Sequence, residues 1–460
     1  MTADGRTSEV ARQSVHVAVG ALALALPWLT WPQAVLLGAA GVLFNLILLP
    51  RLLPRLFRPE DRRQPLLSGI VLYPAAVLGL ILLFPSRLDL AAIAWVILAA
   101  SDGMATLVGA HVKTSRLPWN PEKSIGGLAA FVVFGGAAAV ATAFWMSGNS
   151  PTNTSIVAFA GSTGASTLAL VVVPLLATTA AAFVETVPIK LNDNISVPAI
   201  AALVLWSCAF MNEVILWQVL ALMPSSRFWT AIGLNVVVAV LGYRAGTVTV
   251  GGAIAGAVIG AVMYVGTGLN GWLLLFASFL LAAATTRLGL KRKTAAGIAE
   301  ERGGRRGAGN AIANTGLAAL AAFVALGALD DLPVLAMVAA LATAASDTVA
   351  SEVGKAWGRT TWLIVGFRRV PPGTSGAVSL EGTAAGVVAA TFLAWLAAAF
   401  GLITYEWIVC VVFAATAASL VESWLGATLE RDGVLNNDAL NFVNSAIGAG
   451  LALILVSGSQ

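Results

Sequence analysis

Charge is what this chain has least of. Of its 460 residues only 10% are Asp, Glu, Lys or Arg, while 58% are apolar. Soluble domains carry roughly a quarter charged and under half apolar residues. An ordinary soluble enzyme is excluded, and a polytopic helical membrane protein is the class that fits. Cysteine and histidine are almost missing too. Cys208 and Cys410 lie in apolar stretches of different halves, so neither a disulfide nor thiol catalysis is expected. With only His16 and His111, a multi-histidine metal cage is excluded. There is no G-x-x-x-x-G-K-[ST] loop, since Gly354-Lys355 lacks the upstream glycine and a following Ser or Thr. Nor is there a protein-kinase signature set. Any phosphoryl transfer must therefore use another, membrane-embedded design. No secretory cleavage pattern is convincing. The apolar run after Arg12 leads straight into a second span and reads as a retained first helix. The net charge of +4 does not read as nucleic-acid binding, because the basic residues cluster in short loops between apolar runs.

Those runs are what the chain does have. A helical span takes roughly 20 apolar residues, which predicts about fifteen spans in an all-α polytopic membrane protein. In the first half they fall near 13–30, 32–50, 67–85, 88–110, 125–147, 163–186 and 196–222. In the second they fall near 227–243, 250–267, 270–287, 310–328, 332–356, 383–400, 402–425 and 439–457. Basic residues concentrate at 51–63, 113–123, 287–306 and 355–369. With the N-terminus inside, all four loops share one side, which the positive-inside rule makes the cytoplasm. An inner (cytoplasmic) membrane location follows as the expectation.

Motifs recur in the same order in both halves, so an internal duplication is expected. Residues 101–109 read S-D-G-M-A-T-L-V-G and residues 346–354 read S-D-T-V-A-S-E-V-G. Each precedes a polar loop rich in Pro, Gly and basic residues, and then a Ser before another span. Further on come V-E-T at 184–186 and V-E-S at 421–423, then N-D-N at 192–194 and N-N-D at 436–438. The Ser-Asp pairs stand 245 positions apart and the glutamates 237. The odd span at 227–243 keeps both copies facing the same way. Two parallel-repeat bundles are expected, with domains at 1–223 and 224–460.

A charge inside a span is costly and usually marks function. Asp102, Asp347, Glu185 and Glu422 are such charges. Asp102 shares a helical face with Ala105 or Thr106 and with Gly109, a stripe of small residues that lets a helix or ligand come close. The loops supply the complement. Lys123-Ser124 opens a helix, where N–H groups and the dipole favour phosphate. Arg368, Arg369, Gly373, Thr374 and Ser379 lie in a run that resembles a cradle of backbone donors and cations. Arg305, Arg306, Asn310 and Asn314 form a similar polar approach to the helix near 310. Carboxylates facing such loops suggest Mg²⁺ bridging to a polyphosphate. Asp193 and Asp438 lie in polar clusters that could bind metal or cap helices, and Asn437, Asn441 and Asn444 share one face. His16 could contact phosphate, act as a base, or be structural.

These residues resemble known families. The first half is similar to the phytol kinase and dolichol kinase family, itself akin to CTP-using phosphatidate cytidylyltransferases. The likeness rests on Arg12–His16–Gly20, Asp102–Ala105–Gly109, Pro121–Lys123–Ser124–Gly127, and Glu185 with Asp193-Asn194 and Pro198. The second half resembles the integral-membrane phytyl-phosphate kinase family. Here the likeness rests on R-R-G-A-G-N at 305–310 with Asn314, the motif at 346–354, the run at 368–383, and Asn436 to Asn444. The resemblance implies a fusion that catalyses two successive reactions. A prenol becomes a prenyl phosphate and then a prenyl diphosphate, with CTP or another nucleoside triphosphate as donor and Mg²⁺ as cofactor. The implied partners are an isoprenoid alcohol, its phosphate, the nucleotide and the lipid bilayer. Asp102 with Glu185 or Asp193, and Asp347 with Glu422 or Asp438, are the expected metal ligands. Lys123, Arg369, Arg305 and Arg306 are expected to hold phosphate. The first half departs from the phytol kinase pattern at Gly103-Met104 and Val112–Ser115. A transporter with repeated halves and a CDP-lipid-forming cytidylyltransferase remain as alternatives.

Overall fold

The computed structural model describes residues 13–52, 68–112, 114–149, 168–187, 192–299, 304–431 and 435–457. Arg12, the expected basic loop from residue 53 onward, Lys113, the start of the span expected at 163–186, and Arg302 lie outside them. In chain order the helices are α1 (Gln13–Trp28), α2 (Trp31–Leu52), α3 (Gly69–Leu83), α4 (Leu88–Gly109), α5 (Ile125–Asn149), α6 (Ala169–Thr186), α7 (Asp193–Cys208) and α8 (Glu213–Leu222). They continue as α9 (Ser225–Arg244), α10 (Val250–Arg287), α11 (Leu290–Ala295), α12 (Ala308–Val324), α13 (Leu332–Trp357), α14 (Leu380–Ala399), α15 (Trp407–Glu430) and α16 (Asn437–Ser457). Eleven helices among the described residues are long and apolar enough to cross a bilayer. The protein is an all-α integral membrane protein.

The helices show why eleven differs from fifteen. α1 and α3 are apolar but short, and α1 tightens into a 3₁₀ helix from Ala21. The stretch expected to span at 196–222 is divided between α7 and α8. The two spans expected at 250–267 and 270–287 both lie in α10, which is interrupted at Gly268, with φ 71° and ψ −163°. An unbroken 38-residue helix would measure about 57 Å, nearly twice the hydrocarbon core. Glycine supplies the left-handed turn that divides it.

The chain divides into two compact units, Met1–Glu213 and Val214–Gln460. Each is organised around one helix that is buried on every side. In the first unit that helix is α4, where every residue from Leu90 to Leu98 is buried. In the second it is α13, where Met337 to Ala342 are all fully buried. A helix apolar all round belongs in the middle of a bundle. Asp102 and Asp347 therefore project from the central helix of their own unit.

A small sheet comes directly after each central helix. In the first unit, β1 (Arg116–Leu117) and β2 (Asn120–Ser124) form an antiparallel hairpin. In the second, β3 (Thr361–Leu363) pairs with both β4 (Arg368–Arg369) and β5 (Ala377–Ser379). A serine then starts the next helix. The Ser124 hydroxyl accepts from the Gly127 amide and the Ser379 hydroxyl from the Gly382 amide, each at 3.1 Å. Such a bond satisfies one of the donors a helix N-terminus leaves open. A Cβ placed on Gly127 would stand 3.2 Å from the Ala105 carbonyl, and one on Gly382 would stand 2.5 Å from the Ala350 carbonyl. Small residues let these helices cross the central helix closely.

Candidate functional site

The site of the first unit is assembled from four separate stretches. Asp102 closes a π-helical turn, Leu98–Asp102, inside α4. Glu185 is the penultimate residue of α6. Asp193 opens α7, whose N-cap Asn192 accepts from the Asn194 amide at 3.0 Å. Lys123 arrives on β2. The hairpin is tied to the end of α6 by Asn120, whose amide donates to the Thr186 carbonyl at 3.0 Å, and by Trp119, which donates to the Thr186 hydroxyl at 3.2 Å. One carboxylate oxygen each from Asp102, Glu185 and Asp193 lie within 4.8 Å of one another. The Lys123 ammonium donates to Glu185 and stands 3.5 Å from Asp193. Burial alone would lower the pKa of Lys123. The Asp193 and Glu185 carboxylates outweigh it and hold the pKa above the ordinary lysine value.

His16 of α1 joins the same cluster, its Nε2 3.9 Å from Asp102. Its ring packs against Tyr73, with centroids 4.3 Å apart, and the Tyr73 hydroxyl accepts from Trp95 at 2.8 Å. Thus the structure brings His16, Asp102, Lys123, Glu185 and Asp193 together, while Ser124 is occupied as a cap. The donor set suits a hard cation. Three carboxylate oxygens within 4.8 Å of one another are the hard donors such an ion takes. Mg²⁺ also prefers one or two carboxylates plus phosphate oxygens and water. The residues fit that ion.

The second unit is arranged differently. Glu422 of α15 lies within the electrostatic reach of two other carboxylates, Asp347 of the central helix and Glu430. Glu430 ends a π-helical turn, Gly426–Glu430. The glycine-rich loop after β4 packs onto this end of α15. Gly376 has φ 73°, and a Cβ there would stand 2.3 Å from both the Ser423 carbonyl and the Ala427 amide. Gly373, φ 86°, packs on Ile298. The Thr374 hydroxyl donates to the Pro371 carbonyl at 2.7 Å, closing the turn from within. Arg368 and Arg369 are exposed on β4, and the Arg369 guanidinium lies 5.2 Å over the Trp362 ring. Asp438 lies in the first turn of α16, where the Asn436 side chain accepts from the Ala439 amide at 2.9 Å. Among the described residues, the acids of this unit make no group of three as tight as that of the first.

Two features of the second unit lie beyond what sequence reasoning singles out. One is an ion-pair network. Lys293 of α11 is 1% exposed and bonds Glu352 of α13 at 2.5 Å and the Thr286 carbonyl at 2.8 Å. Lys355 completes it at 3.1 Å from the other Glu352 oxygen. Glu352 does carry a signal, being the second acid of the 346–354 motif. Lys293 carries none, because it is one of three basic residues in K-R-K. The other feature is a largely apolar cavity of about 130 Å³. Arg306, Asn310 and Asn314 line it, so these three expected residues do converge. Arg306 donates to the Asn310 side chain at 3.2 Å, and Asn314 donates to the Asn310 carbonyl at 2.8 Å. Arg305 lies beside Gly246. Asn444 of α16 is 1% exposed, and its amide bonds none of the described residues.

Residues 233–449 match the integral membrane protein family DUF92. An uncharacterized membrane protein of Synechocystis is 42% identical over 207 residues, which cover 44% of this chain and 80% of that protein. Protein VTE6, chloroplastic, of Arabidopsis thaliana is 35% identical over 260 residues, 54% of this chain and 78% of that protein. An uncharacterized membrane protein of Methanocaldococcus jannaschii is 29% identical over 207 residues, 44% of this chain and 84% of that protein. No solved structure matches the chain.

Proposed function

The chain belongs to the DUF92 family of integral membrane proteins, and from that premise we propose that it is a membrane-embedded isoprenoid kinase acting in two steps. The first unit phosphorylates a prenol and the second phosphorylates the resulting prenyl phosphate. The donor is a nucleoside triphosphate, CTP by preference, and both sites face the cytoplasm. The observation that carries this reading is the meeting of Asp102, Glu185, Asp193 and Lys123 at one point, supplied by four separate stretches of chain. The resemblance of both halves to prenol and prenyl-phosphate kinases supports it.

Phosphoryl transfer needs positioning and charge neutralisation more than covalent chemistry. Asp102, Glu185 and Asp193 would hold Mg²⁺. Bound there, the ion would neutralise the β- and γ-phosphate oxygens of the donor. Lys123 now neutralises Glu185 and Asp193, and with nucleotide present it turns its ammonium to the triphosphate. The prenol oxygen attacks the γ-phosphorus in line, the bond to the β-phosphate oxygen breaks, and the nucleoside diphosphate leaves. The alcohol proton passes to the Asp102–His16 pair, the one place in the cluster where an imidazole faces a carboxylate. In the second unit the acceptor is already a phosphate, and Asp347, Glu422 and Glu430 supply the negative field for a cation.

The test incubates full-length protein in detergent or liposomes with Mg²⁺, γ-labelled CTP and either a prenol or a prenyl phosphate. Label should appear in prenyl phosphate in one case and in prenyl diphosphate in the other. Formation of a CDP-lipid, or no labelled lipid with either acceptor, would overturn the proposal.

A further inference from the structure

The cavity of the second unit has two ends that the surrounding contacts identify. At one end the chain around Arg306 pairs with the turn after α9. The Arg306 amide donates to the Thr247 carbonyl and its carbonyl accepts from the Thr249 amide, both at 3.0 Å. A Cβ on Gly252 would stand 2.2 Å from the Arg306 carbonyl. This end carries the first turn of α12, where backbone N–H groups point outward and favour an anion. It also carries Arg306, Asn310 and Asn314. Asn314 is 6% exposed, and its Oδ1 accepts from none of the described residues. A buried amide oxygen in the wall of a cavity needs a donor such as a water or a P–O–H to satisfy it.

At the other end sits Trp272. Its indole is 7% exposed and donates to the Asn235 side chain at 3.0 Å. Asn235 in turn donates to the Ala231 carbonyl at 2.8 Å, and Phe276 stacks on the indole at 5.2 Å. An indole held both by stacking and by its N–H has little freedom to swing aside. The rest of the lining is mostly aliphatic and aromatic, with Val238, Ala239, Ile259, Leu275 and Phe279, and includes the hydroxyl residues Ser278, Thr315 and Thr348. The depth follows from the helices. The lining residues run from Asn235 to Gly242 on α9, about 10 Å of rise, and from Trp272 to Ala282 on α10, about 15 Å. That is at most half the hydrocarbon thickness of a bilayer.

We propose that this cavity is the sleeve for the hydrocarbon chain of the acceptor, with its phosphate at Arg306, Asn310 and Asn314, and that Trp272, held by Asn235, is the floor that sets the longest chain admitted. The proposal rests on the second-unit reaction above and adds the residue that measures the substrate. An apolar sleeve with a fixed indole at one end and a basic group at the other selects an amphiphile with one anionic head and one tail of limited length. Each additional methylene that finds room is buried, and each one that meets the indole is not.

Two variants test the floor from opposite sides. Trp272→Ala opens it. Gly256→Phe narrows the sleeve from its exposed side, since Gly256 is exposed, lines the cavity, and a Cβ there meets nothing within 4 Å. Full-length protein is assayed with prenyl phosphates of graded length, from a single isoprene unit upward. Equilibrium binding of radiolabelled lipid and turnover to diphosphate are measured separately. The wild type should bind chains up to a limit and then lose affinity. Trp272→Ala should raise binding of the first excluded length about tenfold, which burial of roughly two methylene groups supplies. Gly256→Phe should lower binding of the longest accepted length by at least that much and spare the shortest. If Trp272→Ala does not fold, Gly256→Phe decides alone, because it leaves Trp272 and Asn235 in place. Unchanged length dependence in the folded variants, or no prenyl phosphate binding by the wild type, overturns the proposal. Binding that follows the floor without turnover would instead refute the kinase reading and leave the sleeve standing.

Discussion

In the first unit Lys123 reaches Glu185 and Asp193 from the strand that ends at the helix-capping Ser124. In the second unit the residue before the capping Ser379 is Val378, and no lysine arrives by that route. The buried lysine there is Lys293, from a different helix, and it meets Glu352 rather than Glu422. Glu422 lies within the electrostatic reach of Asp347 and Glu430. The scaffold around the two sites is the same in kind, with an all-round buried central helix, a close small-residue crossing and a serine cap. What differs is where the lysine comes from and which acid it meets. A carboxylate with a built-in ammonium can wait for its metal and nucleotide. The lysine of the second unit serves instead to hold α11 on the central helix.

Exchanging lysine for methionine in both units should separate the two lysines most clearly. Lys293→Met leaves Glu352 buried beside Lys355 alone and should destabilise the second unit by about 3–5 kcal/mol. Thermal unfolding in detergent reads this, and adding Glu352→Gln should recover most of it. Lys123→Met should cost far less stability, because its side chain is a third exposed. It should instead raise KM for the nucleotide in the first step by about tenfold to a hundredfold, the worth of one charge-assisted hydrogen bond. Equal stability losses would show that the two lysines do the same job.

Next in size are the central aspartates. Asp102→Asn should lower prenol phosphorylation about 10²–10³-fold and leave prenyl phosphate turnover intact, and Asp347→Asn should do the reverse. Loss of both steps from either variant would mean one site rather than two. The caps come next. Ser124→Ala and Ser379→Ala should each cost about 1 kcal/mol, because each hydroxyl accepts one first-turn amide. A much larger loss at one would show that its hydroxyl does more than cap. The smallest expected effect is that of pH on Lys123. Its pKa is raised in the folded protein above the unfolded value of about 10.4. Its contribution is therefore fully present below that value and is lost only as pH rises through the folded pKa. Stability of the first unit measured from pH 6 to 9 should show no step from this residue.

Much of the architecture was legible in the chain. Long apolar runs with few charges read as helices in lipid, and each expected span has a helix at its place among the described residues. The acids were legible too, because a carboxylate in such a run stands out. Span counting was less secure. A run of apolar residues does not show where a helix tightens into a 3₁₀ turn, as α1 does, or breaks, as α10 does at Gly268. Lys293 was illegible for another reason. In K-R-K nothing local separates the residue that turns inward to Glu352 from neighbours that stay in water. Trp272 was one of fourteen tryptophans, and only the fold brings Asn235, thirty-seven positions away, to its indole.

By itself the sequence determined the membrane class, the helices, and the two acidic stretches on which the proposed chemistry depends. These arise from composition and period, which act over a turn or two of chain. Tertiary structure alone decided that Lys123 meets Glu185 and Asp193, that Lys293 meets Glu352, and that apolar helices line a cavity with Trp272 in its wall. Those are pairings between residues dozens of positions apart, set by how helices cross, and no local pattern encodes a crossing.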